Sequence, residues 1–203
     1  MRRRIKGKEQ PDVYRLKHEI LRELETLSEQ AKIDLYYADE ASVSLVPNVP
    51  YAWQFSDERA AMPSSVGKGL NCFALLARDN RAVVKTTAQN IGAEFIFEQF
   101  EQLSLAVQKP TVVVLDNAST HRARVIKERS EVWQRRGLYL FYLPRYSPHL
   151  NIVETLWRKL KYEWLAPKDY ESRETLRYAV DRALKAVGNG LRINFSSFSH
   201  SLL

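Results

Sequence analysis

A single cysteine, Cys72, stands in a chain of 203 residues, so one copy can form neither an internal disulfide nor a cysteine metal cluster. Its place between Asn71 and Phe73, in a strand-like run, suits plain core packing. Long apolar runs are missing too: none approaches the roughly 20 residues of a membrane span. No apolar segment follows the charged N-terminus, so no secretory signal is expected and the cytoplasm is the expected compartment. Internal repeats and low-complexity tracts are absent. What is present, 45% hydrophobic and 27% charged residues, is the composition of a soluble globular protein. The length suits one domain with a full core and modest extensions.

Charge is unevenly spread. Residues 1–8, MRRRIKGK, hold five Lys or Arg and no acid, and read with residues 9–11 as a disordered basic tail or linker remnant. Residues 121–161 hold ten Lys or Arg against Glu128, Glu131 and Glu154, whereas the rest of the chain has sixteen basic and twenty-one acidic residues. A polyanion-binding face would show this distribution, and so would a solvated helix surface.

The periodicity predicts an α/β domain over residues 12–203. Val13, Leu16, Ile20, Leu24 and Leu27 recur at helical spacing from Asp12 to about Gln30, as a packing stripe. Ile33, Leu35 and Tyr37 then alternate with Asp34, Tyr36 and Ala38 in a first strand, and Asp39 continues the apolar parity. The segment 41–65, with Pro47, Pro50 and Pro63, reads as irregular. Residues 69–77 and 81–87 form a hairpin around Arg78-Asp79-Asn80, and a helix follows from about Ala93 to Leu105. Pro110 opens TVVVLD, a strand of the kind buried on both faces, with Asp116 at its carboxyl end. A helix from about Thr120 to Arg136, stopped by Gly137, precedes a fifth strand, LYLFYLP. After the loop RYSPHLN come a helix from about Ile152 to Leu165 and another after Ser172, ended by Gly188. Residues 192–203 show no assignable pattern.

Three acids therefore come from three elements: Asp39, Asp116 and Glu154. An inward-facing carboxylate on a strand needs a compensating charge, and a metal commonly supplies it. Magnesium favours oxygen ligands, and a pair of such ions about 3.5–4 Å apart assists both the attacking and the leaving oxygen of a phosphodiester. On the helix from about Ile152, Glu154, Arg158 and Lys161 share one face by spacing, opposite Ile152, Leu156 and Leu160 with Val153 and Trp157. A metal ligand beside phosphate-holding cations and an exposed ion pair of little energetic weight both fit that spacing.

ADEAS at 38–42, LDNASTH at 115–121 and YLPRYSPHLNIVETLWRKLK at 142–161 closely resemble the DDE transposases of the mariner superfamily, in its bacterial insertion sequence 630 branch. The resemblance runs from about residue 33 to 165. It implies a ribonuclease H-like fold, a five-stranded mixed sheet flanked by helices that joins an antiparallel meander to parallel strands. It also implies Asp39, Asp116 and Glu154 as the catalytic and metal-binding triad, with Mg2+ as cofactor and Mn2+ able to substitute. The implied activity is cutting of transposon ends with water, then joining of the freed 3′-hydroxyl to target DNA at TA-containing sites. The partners would be double-stranded DNA at the transposon ends and target, with a homodimer on DNA at the nucleoid.

Arg122, Arg124, Arg145, Arg158, Lys159 and Lys161 are the candidate DNA contacts. Glu40, Asn117 and His121 are candidates for supporting the triad; Asn117 and His121 would orient a water or phosphate, or else shape the turn after the fourth strand. His149 reads as loop packing, and Asp34 and Asp79 as rival acids farther from Asp39. Trp53 and Tyr51 would stack on a base or, more commonly, fill the core.

Two departures from the family pattern stand out: thirty-seven residues separate Asp116 from Glu154, a few more than usual, and LNIVE replaces Leu-Asn-Pro-Ile-Glu. The family's N-terminal helix-turn-helix domains have no counterpart before residue 12. An isolated catalytic domain or the second product of a split frame is expected, with a separate helix-turn-helix chain to recognise ends. A non-catalytic inhibitory DNA-binding fragment and a ribonuclease H-like nuclease on hybrids or junctions are the alternatives.

Overall fold

The structure, a computed structural model, describes residues 11–47 and 69–196. Residues 1–10, Tyr51, Trp53, Pro50, Pro63 and the end from 197 lie outside the described residues.

One mixed sheet runs in the order β3-β2-β1-β4-β5. β1 (Asp34–Val43), β2 (Leu70–Leu76) and β3 (Ala82–Thr87) make an antiparallel meander. β4 (Thr111–Leu115) and β5 (Leu138–Tyr142) join parallel to β1. Every residue of β4 is buried, as a central parallel strand covered on both faces requires. β1 runs on to Val43, past the expected start of the irregular segment, because Glu40 to Val43 keep pairing with β2. The hairpin turn closes through Asn80 in the left-handed region (φ 71°). Its side chain exchanges two hydrogen bonds with Ile193, at 2.7 and 3.1 Å, which fasten residues near the C-terminus to the turn.

Helices cover both faces of the sheet. α1 (Pro11–Glu29), α4 (Val153–Lys159) and α5 (Arg173–Lys185) pack with Leu35, Tyr37, Cys72, Val112 and Val114. α2 (Ala93–Ala106) and α3 (Arg124–Arg135) pack with Phe73, Leu75, Val113 and Leu115 on the other face. Ser172 caps α5 by accepting from the Thr175 amide at 3.1 Å, and Gly137 ends α3 at φ 90°.

Three helices differ from the sequence expectation. α1 starts at Pro11, at the favoured first helical position, so Pro11 belongs to the helix and not to the tail. Its buried positions are His18, Leu21 and Glu25, not the expected stripe; Val13, Leu16 and Ile20 remain exposed. Polar contacts rotate the helix: Glu25 accepts from the Tyr37 hydroxyl and from Arg78 Nε, while Lys17 Nζ reaches the Leu143 carbonyl. α3 begins at Arg124 rather than Thr120, because Asp116 accepts from the Ala118 amide and Tyr142 donates to the His121 carbonyl, which hold the residues ahead of the helix out of it. α4 passes at Leu160 into a π-helical turn, Leu160–Trp164. Lys161 is half-buried, close enough to Cys72 to act on a thiol that burial pushes up to about 12.

Glu101 ties α2 to α3. It accepts from Arg129, from Arg136 and from the Trp133 indole at 2.7–2.9 Å, and these bonds hold its carboxyl well below the usual range. A depressed folded-state pKa contributes stability that is present at neutral pH and lost as pH falls below about 4.5. Glu101→Gln should therefore lower stability at pH 7 by roughly 1–2 kcal/mol, with the difference shrinking in acid. Urea midpoints at the two pH values test this; equal midpoints at pH 7 would contradict it.

Candidate active site

Parallel pairing sets Tyr37 opposite Val114. Two residues further along each strand, Asp39 and Asp116 fall at matching positions, on the face that carries Leu35, Tyr37, Val112 and Val114. Asp116 is the first residue beyond β4, at the carboxyl end, where open α/β sheets place their ligand sites. α4 crosses the same face and presents Glu154 in its first turn. Asp39, Asp116 and Glu154 line one cavity of about 460 Å3, together with Asn117, Arg145, Tyr146 and Asn151.

The acids differ in setting. Asp39 is the most enclosed, and its Oδ2 accepts from Trp157 Nε1 at 3.1 Å. Burial, with repulsion from Glu154, Glu40 and Asp116, raises its carboxyl to about 7. Asp116 is half-exposed, and its Oδ1 accepts from the Ala118 amide at 2.8 Å and from His121 Nδ1 at 2.7 Å. Its pKa is lowered, chiefly by the His121 bond. His121 is fully buried, and its Nε2 lies 3.1 Å from Glu40 Oε1. Burial alone would lower the imidazole, but Asp116 and Glu40 carry it up to about 10, so it is a cation at neutral pH and donates through both nitrogens. Glu154 is exposed.

Of the candidate supporting residues, Glu40 and His121 thus form one relay with Asp116. Asn117 donates through Nδ2 to the Leu143 carbonyl, which shapes the strand end, and it also lines the cavity. Sequence reasoning missed Asn151 and Trp157. Asn151 accepts from the Val153 amide at 3.1 Å and donates to the Ala38 carbonyl at 3.0 Å, which fixes the start of α4 beside Asp39. An Asn just ahead of a helix was the available signal. For Trp157 it was the indole N–H, which needs a partner once buried.

The candidate cations separate. Arg145 lines the cavity, and Arg158 is exposed one turn after Glu154. Arg122 is exposed beside His121. Arg124 pairs with Glu128 at 2.5 Å and Lys159 with Glu163 at 2.7 Å. Arg129 and Arg136 serve Glu101 in the opposite layer, so the basic run does not form one face around Glu154. His149 bonds Tyr14 at 3.0 Å, as loop packing. Asp34 and Asp79 both pair with Arg81.

Among the described residues no three His, Cys, Asp or Glu side chains are gathered into a ready-made metal cage. The donor chemistry still suits a hard divalent cation: three carboxylates face one cavity, and the innermost is held up for want of positive charge.

A carboxyl raised on folding costs stability as pH climbs from about 4 to about 7, because only the unfolded chain loses its proton readily. His121 acts in the same direction at higher pH: its contribution is complete below about 6.5 and lost as pH rises through about 10. The metal-free protein should melt at progressively lower temperature from about pH 5 upward. Asp39→Asn should abolish the lower step and stabilise the protein by roughly 1–3 kcal/mol at pH 8. Calorimetry in chelator checks this, and an unstabilised Asp39→Asn would contradict the assigned repulsion.

The sequence profile of the DDE superfamily endonuclease family matches residues 34–177. No curated protein matches. Among solved structures, the Mos1 transposase paired-end complex with left transposon end is similar at a TM-score of 0.63 and 19% identity, over 92% of this chain and 58% of that one. The mariner Mos1 paired-end complex with Mg gives 0.52 and 19%, over 92% and 65%. The Mos1 transposase catalytic domain with raltegravir and Mg gives 0.52 and 14%, over 88% and 85%. At such identities the likeness is one of fold, the ribonuclease H-like sheet with helices on both faces, and the chain spans little more than half of the first relative. The profile covers most of the chain, and it spans the strands and the helix that deliver Asp39, Asp116 and Glu154: this chain belongs to the DDE superfamily endonucleases.

Proposed function

We propose that this chain is the catalytic domain of a DNA transposase of the mariner superfamily, in the insertion sequence 630 branch, which cuts transposon ends and joins them to target DNA. The observation that carries the reading is the meeting of Asp39, Asp116 and Glu154 in one cavity at the carboxyl end of the parallel strands. Membership of the endonuclease family and the DNA-end complexes among the structural relatives support it.

Asp39, Asp116 and Glu154 would hold Mg2+, with Mn2+ as a substitute. The bound ions would supply charge neutralisation at the scissile phosphate and at the attacking and leaving oxygens. The chain's own part is positional. Trp157 orients Asp39, the His121 cation keeps Asp116 ionised and aimed, and Asn151 sets Glu154 at the start of α4. In the first reaction a water attacks phosphorus and the 3′-oxygen leaves as a hydroxyl. In the second, that 3′-hydroxyl gives up its proton and attacks the phosphorus of a target phosphodiester, whose own 3′-oxygen leaves and is protonated to a hydroxyl. Arg145, with Arg122 and Arg158, would hold flanking phosphates. End recognition is proposed to come from a helix-turn-helix element outside residues 12–203, and the working form to be a dimer on DNA in the cytoplasm.

Asp116→Asn should lower end cleavage by at least about a thousandfold in Mg2+ while leaving the fold intact, since it removes a full ligand charge where charge develops. Labelled transposon-end duplex, RNA–DNA hybrid and junction substrates provide the assay. Undiminished cutting by the variant refutes the triad, and preference for hybrid or junction refutes the transposase reading.

A further inference from the structure

Tyr146 sits at the cavity rim in a conformation that its side chain disfavours. Its φ is +57°, in the left-handed region, where a bulky residue is strained and where glycine or asparagine fits at little cost. Its ring is nevertheless 57% exposed, so burial does not offset the strain. Strain of this kind persists where the surroundings over-determine the backbone, and it concentrates at ligand sites.

The surroundings here do over-determine it. Leu143, three residues earlier, has its carbonyl held by Lys17 of α1 and by Asn117. Pro144 and Pro148 restrict the chain on either side, and buried Ser147 donates back to the Arg145 carbonyl at 3.3 Å. His149, three residues later, bonds Tyr14 of α1. A loop anchored at both ends thus holds an exposed aromatic ring against the cavity of Asp39, Asp116 and Glu154, next to Arg145.

We infer that Tyr146 is a stacking platform for an unpaired DNA base adjacent to the scissile phosphate. The inference rests on the reading of this cavity as a phosphodiester site. A cavity of about 460 Å3 is of ligand-pocket size, matched to a nucleotide or two of a strand released from its helix. A base so released loses its stacking neighbours, and an exposed aromatic face replaces one of them regardless of sequence. Arg145 alongside supplies a cation for the same nucleotide's phosphate. Tyr146 is on this account a positioning residue: it fixes the base so that the phosphate lies over the acids.

The test uses the full chain and a forked DNA duplex with one 2-aminopurine in the unpaired arm beside the fork. The unaltered protein should bind it and quench the fluorophore. Tyr146→Gly and Tyr146→Asn relieve the backbone strain, so both should fold at least as stably by calorimetry; yet they should bind about tenfold more weakly and lose the quench. Tyr146→Phe, which keeps the ring, should retain both. Parental affinity and quenching in the Gly or Asn variant would overturn the inference, as would loss of quenching in the Phe variant. Cutting is scored separately: an unaltered protein that cuts no DNA contradicts the proposed function, whereas ring-independent quenching contradicts the stack even in a protein that cuts.

Discussion

Like charges gathered at the end of two parallel strands are the constraint to which the rest of this molecule answers. Asp39, Asp116 and Glu154 share one cavity, and Glu40 stands on the neighbouring position of β1. Left alone, such a group would relieve itself by protonation or by moving apart. The fold relieves it unevenly: a buried His121 cation bridges Asp116 and Glu40, whereas Asp39 receives neutral donors, the Trp157 indole and the Glu40 backbone amide. The uncompensated charge is thereby concentrated on the innermost acid, where a divalent cation is the natural complement.

The scaffold explains why the acids cannot separate. Asp39 belongs to a strand paired on both sides, and Asp116 follows a strand with no exposed residue. Glu154 is carried by a helix whose Val153, Leu156 and Trp157 are buried against β1 and whose first turn is bonded to the Ala38 carbonyl through Asn151. Moving any one acid away would break paired backbone or open the core, so cavity geometry is tied to global stability. The loop of Tyr146 shares this support through α1, whose Tyr14 and Lys17 bond its two ends.

Much of this was legible in the chain itself. Alternation placed Asp39 on the inward parity of β1, the apolar run TVVVL placed Asp116 at a strand end, and ETLW placed Glu154 in the first turn of a helix. Patterns of one residue type at one period carry that information because backbone geometry is local. Contacts that depend on distant partners were not legible. The stripe of Val13, Leu16 and Ile20 had the helical period, yet Glu25 and His18 are buried positions, since Tyr37 of β1 and Arg78 of the hairpin turn bind Glu25. The basic run 121–161 looked continuous in sequence, but Glu101, Glu128 and Glu163 take up Arg124, Arg129, Arg136 and Lys159. The left-handed Tyr146 had no sequence signal at all, because tyrosine does not mark such positions.

The central claim is that these carboxylates together form a divalent-cation site, and metal binding in the absence of DNA tests it without reference to activity. Titration of the protein with Mn2+, followed by electron paramagnetic resonance of the unbound ion, should reveal binding that Mg2+ displaces. That binding should disappear in the combined Asp39→Asn, Glu154→Gln variant and weaken as pH falls below about 7, where Asp39 takes up a proton. Binding of equal strength in that variant would contradict the account.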